Sequence, residues 1–159
     1  MKTRLPWPPM DKPEHHAAER DGRRLALAAV FEADFGQHTA GDVVEREIRT
    51  QGAVGLSTIV ARQIVGAVVA YRDSIDAKIE ELAPQYPVTQ LARIDRALLR
   101  SGIAELLHCP TPARVSIAEW VELARTYSGE PARKLINGVL GRVAAQAAPN
   151  ERDTPASGT

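Results

Sequence analysis

The architecture is most legible in LARIDRALLRSGIAELL, residues 91–107. Leu91, Ile94, Leu98, Leu99, Gly102, Ile103 and Leu106 recur at steps of mostly three or four residues, the period of one helix face. Their arc is wide, which suits a helix at the centre of a bundle. Arg93, Arg96 and Arg100 form a basic stripe on the other side. At about 100° per residue, Asp95 and Glu105 fall inside the apolar arc. A buried carboxylate must be paired or hydrogen-bonded. Each is therefore expected in a structural ion pair, in a cap on another helix end, or against a partner protein. Ten residues of helix separate the two by about 15 Å, too far for an acid–base pair.

Similar spacing extends outward in both directions. Pro110 and Pro112 end the helix, and Ser116 with Glu119 fits a capping box that opens the next one. That helix has Ile117, Trp120, Val121, Ala124 and Tyr127 on its face. Ser128 and Gly129 make a turn. Pro131 suits the first turn of a last helix, faced by Leu135, Ile136, Val139, Leu140 and Val143. Upstream, Val60, Ile64, Val68, Tyr71, Ile75 and Ile79 predict a long helix over 57–82, whole or bent near Asp73 and Ser74. Gly66 inside it costs roughly 1 kcal/mol relative to Ala, so a close helix crossing is expected there. Leu27, Val30, Phe31 and Phe35 predict a first helix over 17–35, stopped by Gly36, and a second follows over 42–51. About seven helices and no strand make the chain all-α.

Composition agrees. The 159 residues suit one domain, and 44% apolar with 25% charged residues is usual for a globular protein. Twenty-five alanines and only 4% aromatics favour helix. Lys+Arg and Asp+Glu are 20 each, which excludes a uniformly basic coat, so any nucleic-acid site must be a local patch. Residues 91–142 hold 8 basic and 5 acidic side chains, while residues 42–86 hold 5 and 7. Residues 1–16 are Pro-rich and 149–159 polar, and read as a disordered leader and tail around a domain at 17–148. One cysteine, Cys109, forms no internal disulfide and no zinc site by itself, and a reducing cytoplasm fits. The longest apolar run, 64–71, is too short to cross a bilayer.

Catalytic signatures are missing: no nucleophile elbow, phosphate loop, dinucleotide fingerprint or His-Glu-x-x-His. No enzyme activity, cofactor or metal is expected. His108 and Cys109 are neighbours that point apart on a helix, and read as a helix-end His and a buried Cys. Two clusters are better candidates for binding. Arg20, Arg23 and Arg24 open the first helix, and Arg20, Arg24, Leu27 and Phe31 share one bearing on it. Cations leading to a ring suit single-stranded RNA. A solvated charged face above a core Phe is the alternative. The turn of Tyr127, Ser128, Gly129, Glu130, Pro131, Ala132, Arg133 and Lys134 opens a helix, where free N–H groups and the dipole favour an anion. A plain helix–helix turn with a surface basic pair is the alternative.

These stretches resemble a known family. Residues 91–107 look like the central helix of the NusB family, and residues 115–140 like its last two helices, with the Ile-Asn-Gly-Val-Leu of 136–140 especially similar. The Arg23 to Phe31 segment resembles the family's Arg-rich opening. The likeness covers about 17–35 and 88–145.

The resemblance implies two small helical bundles packed across each other and a transcription antitermination factor. Such a factor binds the boxA element of nascent ribosomal RNA with NusE, a small-subunit ribosomal protein. It acts on RNA polymerase together with other Nus factors, and some members form homodimers. Arg20, Arg23 and Arg24 then match the arginines that meet RNA, Phe31 stands where Tyr is frequent, and Ser128, Gly129, Arg133 and Lys134 belong to a turn that also meets RNA. Asp95 matches a position near the NusE surface. Glu19, Asp21 and Gly22 dilute the arginine run, Pro131 replaces a frequent Asp, and Leu135 stands where an aromatic contact can occur. A weaker RNA grip from this subunit alone is implied. A homodimeric scaffold without RNA activity is the alternative function. An RNA methyltransferase fragment with a NusB-like domain fits less well, because a polar tail follows residue 148. Arg23 and Lys134 are expected to be exposed and close together in one groove.

Overall fold

A computed structural model describes residues 13–148. Most of the leader and all of the tail named above lie outside them. Six α-helices follow in order: α1 (Pro13–Ala33), α2 (Ala40–Gln51), α3 (Leu56–Leu82), α4 (Arg93–His108), α5 (Ala113–Tyr127) and α6 (Glu130–Ala147), with a 3-10 turn at Val88–Gln90 before α4. With that turn the helical elements number seven, and no strand occurs among the described residues. Helices α1, α2 and α3 pack on one another, as do α4, α5 and α6, and α1 and α3 then lie against α4. The result is two three-helix bundles sharing one core.

Helix α4 is central because its apolar arc is wide. Ala97, Leu98, Leu99, Ile103 and Ala104 are almost fully buried, and Trp120, Ile136 and Leu140 close over them from α5 and α6. Burying a side chain of that size contributes about 1.5–3 kcal/mol each. Beyond Arg93, the back of α4 does not face solvent. Its basic stripe meets α1 and α3: Arg96 donates to Asp34 at 2.5 and 3.0 Å, and Arg100 donates to Asp76 at 2.8 and 2.9 Å.

Several local expectations shift. Helix α1 begins at Pro13, four residues before the expected start, so residues 13–16 belong to the helix. Helix α5 begins at Ala113 behind Pro112, whose carbonyl accepts from the N–H groups of Val115 and Ser116. Ser116 is therefore interior to the helix, buried, and not a cap. The bend in α3 falls at Tyr71 (φ −121°, ψ 20°), where the Ser74 hydroxyl donates to the Tyr71 carbonyl. Gly66 is exposed with nothing near it; the close crossing is at Gly22 instead. A β-carbon there would lie 2.7 Å from that of Val60 and 2.8 Å from the Ser57 carbonyl oxygen.

Candidate RNA interface

On α1, Glu19, Arg23, Ala26 and Val30 step by four, three and four residues along the buried face. Arg23 is only 1% exposed. Its Nε and Nη2 each donate to Glu105 at 2.8 Å, a bidentate pair of the strong kind. Glu105 is fully buried on α4 and also accepts from Trp120 Nε1 at 2.7 Å and from the Thr111 hydroxyl at 2.6 Å. Burial opposes the charge of Arg23, but the Glu105 bonds outweigh it and hold its pKa above the ordinary value. Glu19 lies 4.0 Å from Arg23. Burial raises its pKa against the pull of Arg23 and His16. The sequence expectation that Arg23 is an exposed RNA contact is thus overturned: it is a core ion pair joining the two bundles. Glu105 is the structural ion pair that its place in the apolar arc implied.

Arg20 and Arg24 point outward. Arg20 donates to Glu119 of α5 at 3.0 Å, and Arg24 to Asp21 at 3.2 Å. With Ala118, Glu122, Leu123 and Thr126 they line a groove of about 390 Å³ between α1 and α5. Exposed pairs of this sort contribute about 0–1 kcal/mol. Breaking the Arg20–Glu119 pair therefore costs little, whereas Arg23 is held fast by Glu105.

The groove runs toward the α5–α6 turn, since Thr126 stands two residues before Ser128. Gly129 has φ +140°, where only glycine is unstrained. Ser128 and Lys134 are exposed, and Gly129 and Arg133 partly so. Arg133 donates to Glu130 at 2.9 Å; Lys134 makes no ion pair among the described residues. The Ser128 hydroxyl donates to Asp95 at 2.6 Å, which ties the turn to the first turn of α4. Asp95 is half-buried there. Phe31 is also half-buried, and its ring meets that of Phe35 edge to face, with centroids 5.4 Å apart.

Sequence reasoning missed the partner of Phe35. The Arg93 guanidinium lies over its ring, 4.2 Å from the centroid. Both residues were visible in the sequence, but 58 positions separate them, and only the packing of α1 on α4 joins them. His108 and Cys109 do part company as expected. His108 stacks on Tyr71 at 3.7 Å, and burial pushes the Cys109 thiol up to about 12. Such a thiol is neutral at physiological pH and a poor nucleophile.

Fold and site together define an all-α protein of two crossed three-helix bundles, with a grooved, charged face where α1, α4, α5 and α6 meet. The NusB family model matches residues 20–145. The transcription antitermination protein NusB of Dehalococcoides mccartyi (strain CBDB1) is 35% identical over 127 residues, 79% of this chain and 89% of that one. The chain belongs to the NusB family. Among solved structures, NusB of T. maritima matches with a TM-score of 0.75 at 28% identity, over 82% of this chain and 93% of that one. A chain in the crystal structure of the antitermination factors NusB and NusE with double-stranded RNA matches at 0.72 and 23% identity, over 85% and 99%. That second likeness bears on the fold. No described helix is long and apolar enough to cross a membrane.

Proposed function

We propose that this protein is a transcription antitermination factor that binds boxA-type RNA of nascent ribosomal RNA transcripts together with NusE. The observation that carries the proposal is the exposed, glycine-opened turn at Ser128–Lys134, set beside the α1–α5 groove in a chain of this family. Arg20, Arg24, Arg133 and Lys134 supply the cations for phosphate. The N–H groups of Ser128 and Gly129 both donate to the Ala124 carbonyl, so what the turn offers RNA is a close backbone approach at Gly129 beside its exposed cations, and Phe31 is the nearby ring. Asp95, locked to Ser128, sits at the edge of the surface that takes NusE, so partner and RNA sites share one hydrogen bond.

The protein acts by binding and not by catalysis, in the cytoplasm. Through NusE it joins RNA polymerase and other Nus factors. A homodimer covering the same face competes with that assembly. The test is a pull-down on immobilised NusE followed by sequencing of the retained RNA. Retention of the protein with ribosomal RNA leader sequences enriched supports the proposal. Failure to retain it, or reads without such enrichment, overturns it.

A further inference from the structure

At the C-terminal end of α1 the chain places an aromatic ring in solvent. Phe35 is 50% exposed and is followed by Gly36, Gln37, His38 and Thr39, all exposed. One edge-to-face contact with Phe31, 5.4 Å between centroids, holds the ring. A cation also lies over it: Arg93, 4.2 Å from the centroid, with half of its side chain exposed. The carboxylate nearest Arg93 is occupied elsewhere. Asp34, 3.9 Å away, accepts shorter bonds from Arg96 and Arg100, so the charge of Arg93 remains available.

Beside Phe35 is a hollow of about 280 Å³ lined by Glu32, Phe35, Gln37, His38 and Arg46. That lies just under the roughly 300–1,000 Å³ of sites for drug-sized ligands, a scale that suits one flat heterocycle. Arg46 holds Glu32 by a 2.6 Å bond to Oε1 and, through that hydrogen bond, keeps its pKa below the ordinary value. The carboxylate is thus an ionised acceptor. Its Oε2 is shielded from solvent and has no hydrogen-bond partner. Gln37 adds an amide that both donates and accepts. A ring to stack on and a guanidinium for phosphate, beside an amide that donates and accepts, together match an unpaired base.

We propose that Phe35, Arg93 and the Glu32–Gln37 hollow take one unpaired nucleobase of the bound RNA, outside the groove and turn described above. Phe35 supplies the stacking surface, Arg93 faces the adjoining phosphate, and the exposed Gln37 amide meets the edge of the base. This rests on the RNA-binding reading. It extends the RNA path along α1 by about 20 Å beyond Arg20, the helical rise of the thirteen residues to Ala33.

The experiment uses the full chain with NusE and boxA-type single-stranded RNAs carrying 2-aminopurine at successive positions. One position should be quenched on binding by wild type and not by Phe35→Ala. Phe35→Ala should weaken binding by about 5- to 150-fold, and Phe35→Tyr should retain it. Arg93→Ala should lower the salt slope by about one. Circular dichroism of each variant checks that the fold is kept. Wild type that binds none of the RNAs sinks the RNA reading itself. Wild type that binds, with Phe35→Ala equal to it, overturns the base site alone. So does a Phe35→Ala variant that keeps RNA but loses NusE, which makes the patch a protein contact. Quenching by Phe35 that free AMP abolishes as readily as competing RNA makes it a mononucleotide site, which also overturns the proposal.

Discussion

Removing Glu105 should do more damage than any surface change in this protein. Glu105→Ala deletes the acceptor of four hydrogen bonds and leaves the Arg23 guanidinium, Trp120 Nε1 and the Thr111 hydroxyl facing a void. Breaking a buried ion pair from one side costs about 3–5 kcal/mol, and the orphaned neutral donors push toward the upper end. Against a total stability of roughly 5–15 kcal/mol, that is a large share. For a domain of this size it lowers Tm by roughly 10–20 °C. Arg23→Ala should cost a similar amount, because it strands the carboxylate. The double variant Arg23→Met/Glu105→Leu should lose far less than the two single losses added, since no buried charge is left unpaired. Urea melts followed by far-UV circular dichroism give all three values. An Arg23→Ala variant within about 0.5 kcal/mol of wild type, the range of surface substitutions, refutes the burial of this pair and returns Arg23 to the surface.

Other expectations are simpler. Lys134→Glu should weaken RNA binding without loss of helical signal, because Lys134 is exposed and makes no ion pair among the described residues; its stability should stay within about 0.5 kcal/mol of wild type. Gly22→Ala should destabilise by about 1–3 kcal/mol in a denaturant melt, since its β-carbon meets Val60 and the Ser57 carbonyl below 3 Å, despite the better helix propensity of Ala. Asp34 is partly buried, which alone would raise its pKa, but the Arg96 bond and the charges of Arg96 and Arg100 hold it below the ordinary value. A lowered carboxyl pKa stabilises the fold above the unfolded value of about 3.9, and that stability is lost as pH falls through the folded value. Asp34→Asn should therefore be less stable than wild type near neutrality, and the gap should close in acid.

Much of the fold is legible because helix periodicity is a local property. The faces of α3, α4 and α6 follow from their spacing, and the turn at Ser128 and Gly129 from its residues. Less legible is what one helix does for another. Glu19, Arg23, Ala26 and Val30 lie on one face of α1, and Glu105 lies on the buried face of α4. Each half of the core pair is thus visible, but the joining of the two is tertiary. Charge type misleads at Arg23, which clusters in sequence with two exposed arginines yet stands on the apolar bearing. The basic stripe of α4 divides in the same way: Arg93 stays exposed at its start, while Arg96 and Arg100 turn to Asp34 and Asp76. Proline overrides the capping signal at Ser116, since Pro112 starts α5 one turn early. The pairing of Arg93 with Phe35 leaves no local trace at all.

The most direct measurement is a titration of boxA-type RNA and a scrambled RNA of equal length against the protein with NusE, repeated at several salt concentrations. Tighter binding of the boxA sequence, weakening as salt rises because phosphate contacts release counterions, is the predicted result. Equal affinity for both RNAs, or no binding with NusE present, contradicts the proposed function.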